Sequence, residues 1–346
     1  MSKSLRFGLI GCGRIAPHHA RAIQGLPGAE LTAVVDVIEE RAYRFADDYG
    51  AEPHLDYQEM LRRPDIDVVS ICTPSGMHAQ MAIDAARAGK HIIVEKPMAL
   101  SLADADAMIA EAKANHVKLC VAFQNRYNPP IQDLRAAVQA GKLGRRLLGN
   151  ATVRWYRTQE YYNDGWHGTW AMDGGALMNQ SIHHVDALVW LMGEPVESVF
   201  AYSATLAHEM EAEDTVVVAL RFASGALGSI EATTITYPTD LEGSVTLLGE
   251  RGSVKIGGVA LNRKEMWKIE GELEREAEIL SENQVDPLSV YGTSHPHVFN
   301  DFLAAIREDR EPFVNGTEGR AALAVVLGVY ESARTGQPVL INHRPG

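Results

Sequence analysis

The sequence is poor in cysteine, in basic charge and in long apolar runs, and each shortage removes a class of function. Cysteine occurs only as Cys12, Cys72 and Cys120 in 346 residues. Odd in number, far apart and each set in an apolar run, these read as reduced core residues rather than bridges or metal ligands, so the expected setting is cytoplasmic and no metal site is expected. Lys and Arg number 32 against 45 Asp and Glu, a formal charge of −13. That balance repels a phosphate backbone, and no nucleic-acid partner is expected. No uninterrupted apolar stretch is long enough to span a bilayer. Met1-Ser2-Lys3-Ser4 leads into a run, Leu5 to Ile10, that Arg6 interrupts and glycines end, unlike an export signal. No membrane association is therefore expected.

What is present is length and alternation. The chain is long enough for about two domains with a sizeable core. Up to Phe123, apolar β-rich runs at Leu5–Gly11, Glu30–Asp36, Asp67–Thr73, His91–Glu95 and Val117–Phe123 alternate with helical patterns near Ala16–Gln24, Glu39–Tyr49, Met77–Ala88 and Leu102–Asn115. The last helix opens on Ser101 with Asp104 three positions on, as in a capping box. This alternation predicts an α/β fold with a doubly wound parallel sheet over residues 1–125. Over residues 126–346 strand-like stretches follow one another at Leu147–Arg157, Val196–Leu206, Thr215–Phe222, Ala226–Ile235 and Ser244–Leu248, which predicts a mainly antiparallel sheet. Glutamates at every second position of Glu270–Glu278 read as a strand with one solvated face, and His297–Thr335 returns to helix.

Gly11-Cys12-Gly13-Arg14-Ile15-Ala16 is a G-x-G-x-x-A turn between an apolar strand and a helix. Gly11 permits the tight turn, Gly13 lets backbone approach a pyrophosphate, and Ala16 allows close helix–strand packing at a phosphate-binding helix N-terminus. Asp36, twenty residues after Ala16 at the end of the second strand, suits the adenosine ribose and repels a 2′-phosphate, so NAD is expected rather than NADP. Two more strand ends, Thr73-Pro74 with His78 and Glu95-Lys96-Pro97, point to the same crevice. Lys96 there is placed for chemistry, the alternative being a surface lysine.

The stretch from Asp173 to Gly193 reads as a single helix with Asn179, His183, Asp186 and Trp190 on one face and Met178, Ile182, Val185 and Val189 beside them. A histidine on such a helix is either a core residue or a catalyst; His184, one position round, takes the core reading. Upstream, Trp155, Tyr156, Tyr161, Tyr162, Trp166 and Trp170 crowd sixteen positions, with Arg154, Arg157 and His167 among them. Aromatic faces with cationic neighbours suit an anionic sugar; a core or a subunit interface is the alternative.

Taken in this order and over nearly the whole chain, the G-x-G-x-x-A turn, Thr73-Pro74 with His78, Glu95-Lys96-Pro97 and the G-G-A-L…H-x-x-D segment resemble the glucose–fructose oxidoreductase/inositol dehydrogenase/rhizopine catabolism (Gfo/Idh/MocA) family. The resemblance implies an N-terminal Rossmann domain, a C-terminal domain on an open-faced sheet, and hydride transfer between a nicotinamide and a sugar or polyol hydroxyl. It also implies dimer or tetramer contacts through that sheet.

By that resemblance Lys96 and His183 lie beside the reacting hydroxyl. Asn179 replaces the carboxylate usual four residues before the histidine, and an amide cannot take up a proton, so the base role falls on His183. Cofactor contacts are expected at Gly11, Gly13, Arg14, Ile15, Asp36, Thr73, Pro74, His78, Glu95, Lys96 and Gln124. Substrate contacts are expected at Arg126, Tyr127, Arg157, Tyr161, Trp166, Trp170, Asn179 and His183. The run Tyr161-Tyr162…Trp166-His167-Gly168-Thr169-Trp170…Asn179-Gln180 is similar to the branch containing UDP-N-acetylglucosaminuronate dehydrogenases. An NAD-dependent dehydrogenase of such a sugar is the reading adopted. Its alternatives are an inositol or simple sugar dehydrogenase, an NAD-dependent glycoside hydrolase that oxidises C3 transiently, and a non-catalytic NAD-binding regulator.

Overall fold

A computed structural model describes residues 4–258, 260–282 and 292–343. In the first part of the chain six strands, β1 (Leu5–Ile10), β2 (Ala29–Val35), β3 (Glu52–His54), β4 (Val68–Ile71), β5 (His91–Val94) and β6 (Leu119–Val121), form one sheet in the order β3-β2-β1-β4-β5-β6. Every pairing is parallel. The interleaved helices are α1 (Ala16–Gln24), α2 (Glu39–Tyr49), α3 (Tyr57–Leu61), α4 (His78–Arg87) and α5 (Leu102–Ala114). Strands covered on both faces must be apolar throughout, and Leu9, Ile10, Val68, Val69, Ile71, Ile92, Ile93 and Val94 are all buried. The strand order reverses between β1 and β4, which opens the ligand crevice at their carboxyl ends. The expected capping pair at α5 is present: Asp104 N–H donates to Ser101 Oγ at 3.1 Å.

The second unit begins at Gln124 with a 3₁₀ turn, Gln124–Tyr127, followed by α6 (Pro129–Gln139), β7 (Arg146–Arg154), α7 (Gln159–Tyr162) and α8 (Ile182–Met192). Strands β8 (Val196–Ala204), β9 (Thr215–Phe222), β10 (Leu227–Thr233), β11 (Glu242–Gly249), β12 (Gly252–Gly257) and β13 (Arg263–Ile269) follow, then α9 (Glu276–Ser281); α10 (His295–Arg307) and the start of α11 (Gly316–Thr335) belong to the first unit, and the chain returns to the second with the rest of α11 and β14 (Val339–Leu340). The sheet runs β13-β12-β11-β7-β10-β9-β8-β14, antiparallel except where β7 pairs with β10. Its inner face buries Val216, Val218, Leu220 and Phe222 from β9, and α8 packs across β7 and β11. Gly149 on β7 permits that approach, since a Cβ there would stand 2.8 Å from Leu188 Cδ1 and Met192 Sδ. Among the described residues no layer covers the opposite face: Tyr202 is 71% exposed, Val217 56% and Leu227 51%.

By compactness the chain divides after Phe123, and Ser294–Arg320 clusters with the first unit. The cause is packing: Phe299 of α10 meets Phe7 and His19 with ring centroids 6.0 and 5.1 Å away, and Arg320 pairs with Asp106. The segment Glu270–Glu278 is not a strand. Gly271 turns the chain at φ +83, a 3₁₀ turn spans Leu273–Arg275, and Arg275 pairs with Glu278 across the start of α9. Alternating charge mimicked a two-residue period in a segment that helical i,i+3 pairing stabilises. The stretch from Asp173 to Gly193 is broken: Ala176–Gln180 forms a π turn, and α8 starts only at Ile182, ending at Gly193 with φ +66. The helical stretch His297–Thr335 consists of two helices, α10 and α11.

Candidate active site

In the first unit the glycine turn is built as its chemistry requires. Gly11 has φ +93, and a Cβ on it would meet the Cys72 carbonyl at 2.7 Å, so only glycine fits. Nothing lies within 4 Å of where a Gly13 Cβ would project, and no side chain caps α1 beside it. An open backbone face next to uncapped helical N–H groups suits a pyrophosphate. At the end of β2, Asp36 accepts the N–H groups of Cys12 and Ile38, both at 2.9 Å. The carboxylate is thereby fixed while keeping lone pairs for a ribose diol.

At the ends of β4 and β5, His78 lies 2.8 Å from the carbonyl oxygens of both Pro97 and Thr73. Donation to both at once requires the charged ring, which burial disfavours, lowering its pKa despite the two carbonyls. Beneath Lys96, the His19 ring lies 2.7 Å from Glu95 Oε1 on one side and 2.7 Å from Ser70 Oγ on the other. Burial opposes both charges, yet the His19 hydrogen bond and charge hold Glu95 down to about 2. For His19, Cys72 and Glu95 outweigh burial and push the pKa up. His295 stacks beside them, and burial takes its pKa down to about 3. Ligand-type atoms of His19, Glu95 and His295 lie within 4.8 Å of one another. Two of the three groups already satisfy each other without an ion. Lys96 itself is half-buried and directly follows Glu95 in sequence.

The second unit presents His183 from the first turn of α8, 7% exposed, with its Nε2 3.4 Å from the Gln124 amide nitrogen. An amide donor at that distance faces a ring nitrogen that carries a lone pair, the form able to accept a proton. One turn on, Asp186 forms a bidentate pair with Arg126, Nε–Oδ2 at 2.8 Å and Nη2–Oδ1 at 2.6 Å, under the Trp190 ring. His184 points the other way, edge-on to Trp155, and burial takes its pKa down to about 3.

Asn179 sits in the π turn, where its Nδ2 donates to Asp173 Oδ1 and its Oδ1 accepts from Gln180 Nε2 at 3.0 Å. Gln180 also reaches the Tyr161 hydroxyl at 2.8 Å and accepts from Arg157 Nε at 3.0 Å. Arg157 lies over the Trp155 and Tyr161 rings, and its Nη2 has no hydrogen-bond partner among the described residues. Trp166 stacks on His167 at 3.6 Å, Trp170 is 49% exposed and edge-on to Tyr330, and Tyr127 closes the Gln124–Tyr127 turn half-buried.

Two family models match, the oxidoreductase family NAD-binding Rossmann fold over residues 5–123 and the oxidoreductase family C-terminal alpha/beta domain over residues 135–341. The chain belongs to the Gfo/Idh/MocA oxidoreductase family. Among solved structures it is similar to the WlbA dehydrogenase of Bordetella pertussis in complex with NADH and UDP-GlcNAcA, at 42% identity and TM-score 0.93 over 99% of both chains. The WlbA dehydrogenase of Chromobacterium violaceum is 40% identical, with TM-score 0.90, over 99% of this chain and 97% of that one. Among curated relatives, the myo-inositol 2-dehydrogenase of Thermotoga maritima is 30% identical over 95% of this chain and 96% of its own length. As a Gfo/Idh/MocA oxidoreductase the protein uses NAD, and the Gly11–Ala16 cradle with Asp36 fits that cofactor.

Several residues expected at the Gfo/Idh/MocA site have partners within the protein. Arg126, expected at the substrate, is paired through its Nε and Nη2 with the Asp186 carboxylate in a buried contact. His78 and Glu95, expected at the cofactor, are 1% and 6% exposed and lie against protein partners, His78 against the Thr73 and Pro97 carbonyls and Glu95 against His19. Trp155 and Tyr162 take the core alternative; Tyr162 donates to Thr234 at 2.9 Å. Sequence reasoning missed Asp173, Glu213 and Tyr330. Glu213 lies two residues before β9 and gave no signal beyond two adjacent acids, Glu213-Asp214. Burial pushes its pKa up to about 7, with Asp173 adding like charge and the Leu177 N–H and Tyr330 hydroxyl opposing the shift.

Proposed function

We propose that the protein is an NAD-dependent sugar dehydrogenase that oxidises a ring hydroxyl of an anionic, nucleotide-linked hexose, C3 of a UDP-N-acetylglucosaminuronate-like sugar. The observation that carries this reading is the 42% identity, over 99% of both chains, to a dehydrogenase crystallised with NADH and UDP-GlcNAcA. Bound NAD supplies the hydride acceptor. His183 takes the hydroxyl proton at Nε2, the nitrogen that faces the Gln124 amide donor. The Lys96 ammonium polarises the hydroxyl oxygen and favours loss of that proton. The products are a ketone, NADH and the proton held by His183. Asn179 orients the site, since an amide has no basic lone pair at neutral pH. Arg157, with its free Nη2 and its aromatic neighbours Trp155 and Tyr161, is the local cation for the sugar carboxylate or phosphate.

The same reading places the protein in the cytoplasm, supported by three free cysteines. Among the described residues no helix is long and apolar enough to cross a membrane. It also makes the protein a homodimer or homotetramer through the bare sheet face that carries Tyr202, Val217 and Leu227, which sedimentation analysis tests. The functional test compares NADH formation on UDP-N-acetylglucosaminuronate with that on glucose, glucuronate and myo-inositol. The nucleotide sugar is expected to turn over fastest, and His183→Ala to lose about 100- to 10,000-fold with NAD affinity kept. Faster turnover of the free sugars moves the assignment to the inositol dehydrogenase side of the family, to which the Thermotoga maritima relative belongs by name. Glycoside cleavage without net NADH would point to a hydrolase. NAD binding without turnover of any sugar would point to a regulator.

A further inference from the structure

The π turn that carries Asn179 has its leading N–H groups satisfied from outside the turn by two residues. Gly175 and Met178 N–H both donate to the Tyr330 hydroxyl at 3.2 Å. Ala176 N–H donates to the Glu213 carbonyl and Leu177 N–H to Glu213 Oε1, each at 2.8 Å. Tyr330 in turn donates to Glu213 Oε1 at 3.1 Å. The first N–H groups of a helical turn have no partner within it, so two distant side chains here replace an ordinary N-cap. Glu213 is 3% exposed, and its Oε2 has no hydrogen-bond partner among the described residues.

The sequence accommodates this device at Gly175, where a Cβ would overlap Glu213 Oε2. The other side of the turn is held by Asp173, which accepts from Asn179 and from Gly168 N–H at 2.8 Å. The turn is therefore gripped at both ends before the chain passes through Ser181 into α8, whose second residue is His183. A π-type turn is uncommon because the regular helix competes with it, and it persists where outside contacts impose it.

We propose that Glu213 and Tyr330 form a buried clamp that holds the π turn open and so act as positioning residues for Asn179 and His183 in proton abstraction. The clamp touches neither substrate nor cofactor and acts through the turn. This inference rests on His183 as the base, the reading given above. Its consequence is kinetic, because a misplacement of about 1 Å at a reacting group can cost about a hundredfold in rate.

The test uses the full-length enzyme with NAD and whichever sugar the wild type turns over. Tyr330→Phe removes the hydroxyl that accepts two N–H groups but keeps the ring. Glu213→Gln keeps the Oε1 acceptor, whereas Glu213→Ala removes it. Hydrogen exchange over residues 174–181 is expected to quicken in Tyr330→Phe and Glu213→Ala and to stay near wild type in Glu213→Gln. Turnover is expected to fall about 10- to 100-fold in the first two, with NAD affinity unchanged and Glu213→Gln restoring most of the rate. Wild-type exchange and turnover in Tyr330→Phe would overturn the clamp, including when Glu213→Ala fails to fold. Equal loss in Glu213→Gln and Glu213→Ala would also overturn it, because the glutamine keeps the contacts invoked. His183→Ala run in parallel separates the two ideas: undiminished turnover there removes the base assignment, while the exchange data still decide the clamp.

Discussion

The Arg126–Asp186 pair allows the sharpest test of how the second unit is built, because an arginine expected at the substrate also forms a buried bidentate pair with Asp186. Both groups are buried, 3% and 2% exposed, and joined by two bonds of 2.8 and 2.6 Å. An arginine cannot shed its proton to escape burial, so Asp186→Leu deprives the buried Arg126 cation of its bidentate partner. Breaking such a pair from one side costs about 3–5 kcal/mol, and replacing both partners with apolar groups is close to neutral. At about 2–4 °C per kcal/mol for a domain of this size, Asp186→Leu should lower the melting transition by roughly 6–20 °C. Arg126→Met should do nearly as much, and the double variant should recover most of the loss. Calorimetry on the four proteins closes the double-mutant cycle, with an expected coupling of about 3 kcal/mol or more. Steady-state NADH assays supply the functional half. Substrate KM should stay within a few-fold in the double variant, since no anion receptor has been removed. If Arg126→Met raises the KM tenfold or more while Asp186→Leu leaves it alone, and the cycle shows no coupling, then the guanidinium serves substrate and the pairing argument is wrong.

Two further outcomes follow from buried carboxylates. Asn179→Asp would set a second carboxylate against Asp173, so the pair should hold one proton with a raised pKa. The kcat profile should then fall with rising pH where the wild type does not, and superimposable profiles between pH 6 and 9 would refute the contact. Glu213 has a folded pKa of about 7 against an ordinary 4.5, so between those values the folded state binds more protons than the unfolded one. Stability from this group is present at low pH and is lost as pH rises through about 7. The loss is at most roughly 3 kcal/mol by the free energy of such a shift. Glu213→Gln carries no such proton, so its melting temperature should gain on the wild type between pH 4.5 and 8; parallel curves would show that Glu213 stays ionised when folded.

What the sequence by itself determined was the part whose physics is local. Gly11 and Gly13 are required by the backbone of the turn they occupy, Asp36 ends its own strand, and Lys96 follows directly on β5; none of these needs a distant partner. The alternation of β4, β5 and their helices is likewise a short-range pattern of burial, and it was readable as a parallel sheet. The tertiary structure decided the rest, where a residue's role is set by the group it is buried against. Arg126 meets Asp186 sixty positions away, Glu213 grips Leu177 thirty-six positions back, and Tyr330 reaches Gly175 from 155 positions downstream. Helical spacing placed Asn179 and His183 on one regular face, but the N–H groups taken by Glu213 and Tyr330 turned that segment into a π turn and a separate helix. In Glu270–Glu278 period and charge imitated a strand, and only Gly271 and the Arg275–Glu278 pair made it a turn and a helix. Spacing along a chain reports which face a side chain takes; a buried charge or an unpaired N–H is settled only by what folding brings beside it.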